Sequence, residues 1–271
     1  MYKAKLLDGK KVSENILEKL ATKISGLSKK PTLAVVLVDG DEPSEVYVNR
    51  KEKAADKIGV NFRLIKKSSS ISQAQFEDLI ENLNRDKGVN GIIVQKPLPS
   101  QIDSDEVDML VSPEKDVDGL NPISQFTPAT TRGIIELLSF YKIKPERKKI
   151  VVVGRSKLVG LPTALEFSNR NASVSICDSK TPNLKAETKQ ADILIVAVGQ
   201  PHLIKKDMVK KSAVVVDVGM NKIEKDGKTK LVGDIDFENV SNTASYITPV
   251  PGGVGPMTVA ALLENLIDAC Y

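Results

Sequence analysis

Apolar residues along this chain fall into short unbroken runs and longer stretches in which they recur every three to four positions. In the first half, Thr32 to Val38 (TLAVVLV) reads as a buried strand, Ser44 to Ile58 as a helix and Asn61 to Ile65 as a short strand. Ser72 is a natural cap for a helix running to Leu83, and Gly91 to Val94 supplies the next strand. This alternation predicts an α/β unit with a largely parallel sheet.

The pattern restarts at Lys149 to Val153 (KIVVV), an apolar strand ending at Gly154. A helix fits Pro162 to Asn169, because proline is tolerated in a first turn. Strands at Ser173 to Cys177, Ile193 to Val198 and Val214 to Val218 complete a Rossmann-like sheet, whose ligand crevice lies at the carboxyl ends of its strands. Gly133 to Tyr141 (GIIELLSFY) has helical periodicity and connects the halves. The last helix, Thr258 to Cys270, is apolar at Val259, Leu262, Leu263, Leu266 and Ile267. It needs a partner face, which a return onto the first domain provides.

A length of 271 residues suits two modest domains, and 41% hydrophobic with 27% charged residues describes an ordinary globular chain. A net charge of +4, with 4% aromatics and no Trp, gives little support to a nucleic-acid surface. The densest basic stretch, Lys142 to Lys149, contains Glu146 and reads as a solvated linker. Cys177 and Cys270 match neither a metal-ligand spacing nor a disulfide framework, which fits a reducing interior. Since no run reaches about eighteen apolar residues, a cytoplasmic protein without membrane contact is expected. The sole histidine, His202, is expected in a loop or helix start. Asp217, Asp234 and Asp236 show no recurring ligand spacing, so no metal is expected.

The helix YVNRKEKAADKI carries an oddity. Tyr47 and Lys51 share a face that Ala54, Ala55 and Ile58 continue, whereas Arg50, Glu52, Lys53 and Lys57 have more access to solvent. An inward Lys51 loses hydration, so its pKa should fall toward the range in which it exchanges a proton near neutrality. The alternative is a lysine that snorkels from the edge of the stripe.

Three further segments have chemical character. Gln95, with donor and acceptor functions, follows the strand Gly91 to Val94 and precedes Lys96-Pro97-Leu98-Pro99, a stiff wall where α/β proteins keep their ligands. In KDVDGL, an extended chain would point Asp116 and Asp118 the same way, suited to gripping a ring with adjacent N–H groups; the alternative is a surface Asp-Gly turn. TPVPGGVGPMT, Thr248 to Thr258, is rigid yet has little side-chain bulk, so a flat ligand can lie against its backbone.

In order along the chain, YVNRK, VQKPLP, PEKDVDG, VVVGRSKLVG, AVGQP, DVG and ITPVPGGVGPMT resemble the bifunctional methylenetetrahydrofolate dehydrogenase/cyclohydrolase (FolD) family, nearly end to end. The resemblance implies two α/β domains across a cleft. An N-terminal catalytic and folate domain would span residues 1–121, completed by a connecting helix over 130–142 and a C-terminal helix over 256–271, and a Rossmann-like NADP-binding domain would span 143–250. It implies oxidation of 5,10-methylenetetrahydrofolate to the 5,10-methenyl form by hydride transfer to NADP, hydration of that cation to 10-formyltetrahydrofolate, and a homodimer. Lys51 matches the family's catalytic lysine, Tyr47 the tyrosine along the folate, Gln95 the glutamine that tunes the lysine and Asp118 the aspartate that anchors the pterin. By the same resemblance, Leu98, Pro251, Gly252 and Gly255 contact the substrate. Gly154, Arg155, Ser156, Ser179, Val198, Gly199, Gly219, Met220 and Thr258 hold the cofactor.

Three departures matter. The linker NPISQFTPATTRG is short, with Ala129 and Thr131 where the family has cysteine and proline. Lys96 replaces the usual leucine, a second cation that strand alternation points away from Lys51. Asp178 replaces a histidine before Ser179, and an acid there is the usual signature of NAD. Arg155, Ser156, Ser179 and Lys180 favour a 2′-phosphate, so NADP is expected with some NAD use. Two other functions stand beside the bifunctional one: a dehydrogenase with little cyclohydrolase activity, and an inactive nucleotide-binding protein.

Overall fold

The structure, a computed structural model, describes residues 4–225 and 227–271. In chain order it contains β1 (Lys5–Leu6), α1 (Gly9–Ser25), β2 (Thr32–Val38), α2 (Glu42–Ile58), β3 (Asn61–Lys67), α3 (Gln73–Arg85), β4 (Gly91–Val94) and α4 (Ser104–Leu110). There follow α5 (Ala129–Phe140), β5 (Lys149–Val153), α6 (Gly160–Asn169), β6 (Ser173–Cys177), α7 (Leu184–Thr188), β7 (Ile193–Val196) and β8 (Val214–Asp217). The remainder is β9 (Asn221–Lys225), β10 (Lys228–Val232), α8 (Phe237–Val240), β11 (Tyr246–Ile247) and α9 (Val254–Asp268).

These elements form two compact units. One holds residues 14–129 and 259–271, the other the described residues up to Ser13 and residues 130–258. The chain passes between them within α1, α5 and α9.

In the first unit a parallel sheet of order β3-β2-β4 has β2 at its centre. Alternate β2 side chains serve opposite cores, as the two-residue period requires. Leu33, Val35 and Leu37 pack with Leu20 and Ile24 of α1, Val48, Ala55 and Ile58 of α2, and Leu262, Leu263, Leu266 and Ile267 of α9. Ala34, Val36 and Val38 pack with Phe76, Ile80 and Leu83 of α3 and Val107 of α4. The expected return of the last helix onto this core is therefore present, and it carries one polar anchor. Buried Asn265 donates from Nδ2 to the carbonyls of Val117 (2.8 Å) and Thr127 (3.0 Å), on either side of the Asp118 segment. Local signals set the helix ends: Asp41 accepts the Ser44 N–H to start α2, and Ser72 forms a capping box with Gln75 to start α3.

The second unit is a six-stranded sheet of order β1-β11-β8-β7-β5-β6, parallel throughout. From β5 the chain runs to β6 on one side and then to β7 on the other. Strand order thus reverses between β5 and β7, and such a reversal opens a crevice at the carboxyl ends of strands in doubly wound sheets. Val151, Val153, Leu194, Val196 and Val215 of these strands are fully buried beneath it.

The structure departs from the sequence pattern in several places. Residues 4–13 and 130–140, allotted to the first domain by pattern and resemblance, group with the second unit: β1 pairs with β11, and α5 meets α6 at Thr131 and Thr163. β7 ends at Val196 and β8 at Asp217, short of the expected Val198 and Val218, because the N–H groups of Val198, Gly199 and Gly219 turn to carboxylates. α9 begins at Val254 rather than Thr258, since Pro256 fits in its first turn. Thr131, which departs from the family's proline, is buried with its hydroxyl 2.9 Å from that of Thr163. The basic stretch Lys142 to Lys149 is a turn-rich, largely exposed link into β5, as expected.

Candidate active site

In the first unit the chemistry centres on α2. Val48, Lys51, Ala55 and Ile58 form its buried face, and Lys51 retains only 8% exposure, so it does not snorkel. Its Nζ donates to Gln95 Oε1 at 3.1 Å. Gln95 is itself oriented: its backbone N–H donates to Val36 O (2.9 Å) and its Nε2 to Lys96 O (2.9 Å), leaving the amide oxygen for the amine. Burial lowers the Lys51 pKa below the usual lysine range, and the Asp118 charge opposes that shift. Tyr47, one turn earlier and half-buried, has its hydroxyl pKa raised by burial, with the Arg50 guanidinium 5.7 Å from its ring centre opposing. Half-buried Leu98 packs against the α3 side of the sheet.

The acidic segment is not extended. Val117 and Asp118 lie in a turn closed by Gly119 at φ 74, and Asp116 builds that turn by accepting the N–H groups of Gly119 (3.1 Å) and Asn121 (2.8 Å). The local structure is a turn, as in the alternative, but a buried one and not a surface one, since Asp116 is 3% exposed and Gly119 is buried; of the two acids Asp118 acts on Lys51. Lys96 does not join the site. Its Nζ pairs with Asp108 Oδ2 at 2.7 Å and donates to Ser104 O at 3.3 Å. Sequence reasoning missed Ser44 as a brace: its single hydroxyl proton is shared between Asp41 Oδ2 and Lys96 O (3.0 Å), tying the start of α2 to the loop after β4. No sequence signal distinguishes it from an ordinary helix-start serine.

In the second unit, the loops at the β5–β7 reversal carry the residues assigned to a dinucleotide. Gly154 sits at φ 117, and a Cβ there would fall 2.2 Å from Ala197 O; one on Gly160 would fall 2.1 Å from Gly154 O. Only glycine permits this approach of strand, turn and helix. Ser156 Oγ accepts the N–H groups of Val159 (3.2 Å) and Gly160 (3.4 Å) as α6 begins. Exposed Arg155 pairs through Nη1 with Asp178 Oδ2 at 3.2 Å. Asp178 also accepts the Lys180 N–H at 2.8 Å, which with the Arg155 contact lowers its carboxyl pKa. Exposed Ser179 lies between them in sequence.

Val198 and Gly199 follow β7, and Gly219 and Met220 follow β8. A Cβ on Gly199 would meet nothing nearer than Asn221 Oδ1 at 4.0 Å, so that face of the loop is open to a flat group. Pro251 and Gly252 belong to the bend before α9, where Val250-Pro251 is cis and Gly252 has φ 106. Gly255 lies in the first turn of α9, and a Cβ there would fall 3.3 Å from Met220 Cε. Thr258 Oγ1 donates to Val254 O at 3.3 Å. His202 lies in a loop at φ 55, as expected, with Nδ1 buried and unbonded. Among the described residues no group of three or more His, Cys, Asp or Glu could hold a metal ion. Asp217 and Asp234, weighed as ligands in the sequence, accept backbone N–H groups instead.

A doubly wound nucleotide-binding unit joined to an α/β unit with a desolvated lysine defines a two-domain dehydrogenase architecture. The chain matches the family model for the tetrahydrofolate dehydrogenase/cyclohydrolase, catalytic domain, over residues 7–118, and the NAD(P)-binding domain of the same family over residues 128–271. It is 48% identical over 270 residues to the Bifunctional protein FolD of Acholeplasma laidlawii, covering 96% of each chain. The crystal structure of the bifunctional enzyme FolD from Campylobacter jejuni matches with a TM-score of 0.95 at 43% identity, covering 98% of both chains. Trypanosoma brucei FolD complexed with NADP cofactor and inhibitor matches with a TM-score of 0.95 at 32% identity, covering 99% of this chain and 98% of that one. The chain belongs to the tetrahydrofolate dehydrogenase/cyclohydrolase family.

A lysine whose pKa is lowered in the folded state binds fewer protons there than in the unfolded chain, so it destabilises the fold below the ordinary lysine range and ceases to do so as pH rises into that range. Lys51→Met should therefore be more stable than the wild type at pH 7, with the gap narrowing toward pH of about 10. Urea denaturation of both proteins at several pH values measures this; a gap independent of pH would contradict the desolvation account.

Proposed function

We propose that this chain oxidises 5,10-methylenetetrahydrofolate to 5,10-methenyltetrahydrofolate with NADP and hydrolyses the product to 10-formyltetrahydrofolate. The observation that carries the reading is a buried Lys51 amine held by the Gln95 amide oxygen at 3.1 Å, with Asp118 acting on it. Mere nucleotide binding requires none of these groups. Relatives named as bifunctional FolD, similar over nearly the whole chain, support both activities.

In this reading the Asp118 carboxylate anchors the pterin through its N–H groups, Tyr47 packs along the folate, and Leu98, Pro251, Gly252 and Gly255 line the substrate. NADP, when bound, supplies the hydride acceptor. Loss of hydride from the bridging carbon leaves a cation shared with the folate nitrogens, which a charged lysine would oppose; a neutral Lys51 does not. Water then adds to the methenyl carbon, and its proton passes to Lys51 as the C–O bond forms. The remaining hydroxyl proton moves to N5 as the C–N5 bond breaks, leaving the formyl group on N10. Gln95 holds the amine throughout without adding a charge.

The crevice residues fit a phosphorylated dinucleotide. Gly154, Gly199 and Gly219 allow close backbone approach, Val198, Met220 and Thr258 border the loops, and Arg155, Ser156, Ser179 and Lys180 supply donors for a 2′-phosphate. The NADP complex of the T. brucei relative supports the same choice. Cys177 and Cys270 are free, which suits a reducing compartment, so a cytoplasmic location is part of the reading. No helix among the described residues is long and apolar enough to cross a membrane.

We also assign a homodimer. β6 is an edge strand, and Leu161 and Leu165 on the helix packed against it, with Ile176 on the strand, are exposed apolar groups suited to a second copy. Leu165→Glu should shift the sedimentation coefficient from that of a dimer to that of a monomer; a monomeric wild type overturns the assignment.

Separate absorbance traces for methenyl and formyl products test the two reactions. Lys51→Met should slow hydration by roughly 10²- to 10⁴-fold with folate binding largely retained. Wild-type methenyl product hydrating no faster than in buffer would reduce the protein to a dehydrogenase. Removing the acid that competes for Arg155, by Asp178→Asn, should raise the preference for NADP over NAD by roughly five- to tenfold. Calorimetric titration with each nucleotide, beside the two rates, measures that ratio, and an unchanged value would deny Asp178 a part in selection.

A further inference from the structure

Asp217 and Asp234 are buried, with 3% and 0% exposure, and the chemistry above uses neither. Both are occupied by main-chain donors. Asp234 Oδ2 accepts the N–H groups of Val198 (2.7 Å) and Gly199 (3.0 Å), while Oδ1 accepts Asn221 Nδ2 (2.9 Å). Asp217 Oδ1 accepts the N–H groups of Gly219 and Asp234, both at 3.0 Å, and Oδ2 accepts that of Ile235 at 2.9 Å.

Glycines make room for this arrangement reciprocally. A Cβ on Gly219 would fall 2.2 Å from the Asp234 carboxyl carbon, and one on Gly233 would fall 1.9 Å from Asp217 Oδ2. The two carboxylates therefore act in series. Asp217 grips the backbone on either side of Asp234, and Asp234 grips the loop after β7. Three donors converge on the buried Asp234 carboxyl, so this loop is held more firmly than a strand end whose N–H groups face water.

We propose that Asp234, itself held by Asp217, is a positioning residue for cofactor binding, setting the Val198-Gly199 backbone against which the dinucleotide lies. The inference rests on the NADP-binding reading of this unit. It places no demand on the folate residues of α2, the loop after β4 and the Asp118 turn, and hydration of the methenyl product consumes no cofactor. Damage to the clasp thus separates the two halves of the reaction.

The test is calorimetric titration of the full-length protein with NADP, alongside titration with a folate analogue and the methenyl hydration rate. Asp234→Asn keeps the shape and removes the charge, and should weaken NADP binding about tenfold, raising KM for NADP more than it changes kcat. Asn221→Ala, which leaves the carboxylate but removes one of its donors, should shift NADP binding the same way by less. Folate-analogue affinity and hydration should stay at wild-type values in both. A wild type that binds no NADP overturns the cofactor reading and the inference with it. NADP bound equally by wild type and Asp234→Asn overturns only the positioning role. Should Asp234→Asn fail to fold, Asn221→Ala decides, and unchanged NADP affinity in it overturns the role. An equal loss of folate-analogue binding in either folded variant, the mark of general destabilisation, also overturns it.

Discussion

Taking the Lys51 amine out of water costs its charged form far more than its neutral form, and the first unit is arranged around that difference. The helix face that buries Lys51 is the one that α2 packs on β2, so the apolar pattern that builds the core also lowers the amine's pKa. A buried amine still needs a partner, and Gln95 is one that adds no charge of its own. Other charges nearby are diverted. Lys96 is bound to Asp108 on α4, and Asp116 is committed to its own turn. One acid, Asp118, remains to act on the lysine.

The second unit solves a different problem, bringing main chain close to a ligand. A sheet whose strand order reverses between β5 and β7 splays its loops there, and glycines at 154 and 160 let strand, turn and helix approach without side-chain interference. Loops of so little bulk need fixing from beneath, and buried carboxylates do this where the ladder ends. Burial pushes the Asp217 carboxyl up to about 7 against the opposing effect of its N–H partners. A group that unfavourable to bury is retained only where it accepts hydrogen bonds nothing apolar could replace.

Much of this was legible in the sequence, for physical reasons. β2, β4, β5 and β6 were read to the residue: the first three are short, almost wholly apolar runs bounded by turn residues, as buried parallel strands are, and β6 (SVSIC) alternates polar and apolar, as an edge strand does. The inward Lys51 followed from helical periodicity, and its nearness to Gln95 from resemblance alone, since no local pattern relates positions on different elements. The β9–β10 hairpin and the pairing of β1 with β11 were not legible: the first is rich in lysine, the second only two residues long, and both depend on tertiary pairing. Asp116 and Asp118 show the limit most clearly. Their spacing fits one face of a strand, yet the glycine after them turns the chain and gives the two acids different work.

The same distinction bears on Arg155 and Asp178. An exposed ion pair contributes little, because water competes for both partners and holding long side chains costs entropy. Arg155 is 62% exposed on its side chain, so turning it from Asp178 toward a phosphate sacrifices little, while a phosphate offers more charge and several acceptor oxygens. Asp178 is also tethered by the Lys180 N–H, which holds Oδ1 to its own loop and leaves Oδ2 to Arg155. An acid in this position opposes the 2′-phosphate by its charge and competes for Arg155 only through an exposed pair that a phosphate can displace. On the proposed reading, the choice between NADP and NAD rests on how many donors converge on that corner, with Asp178 setting the margin.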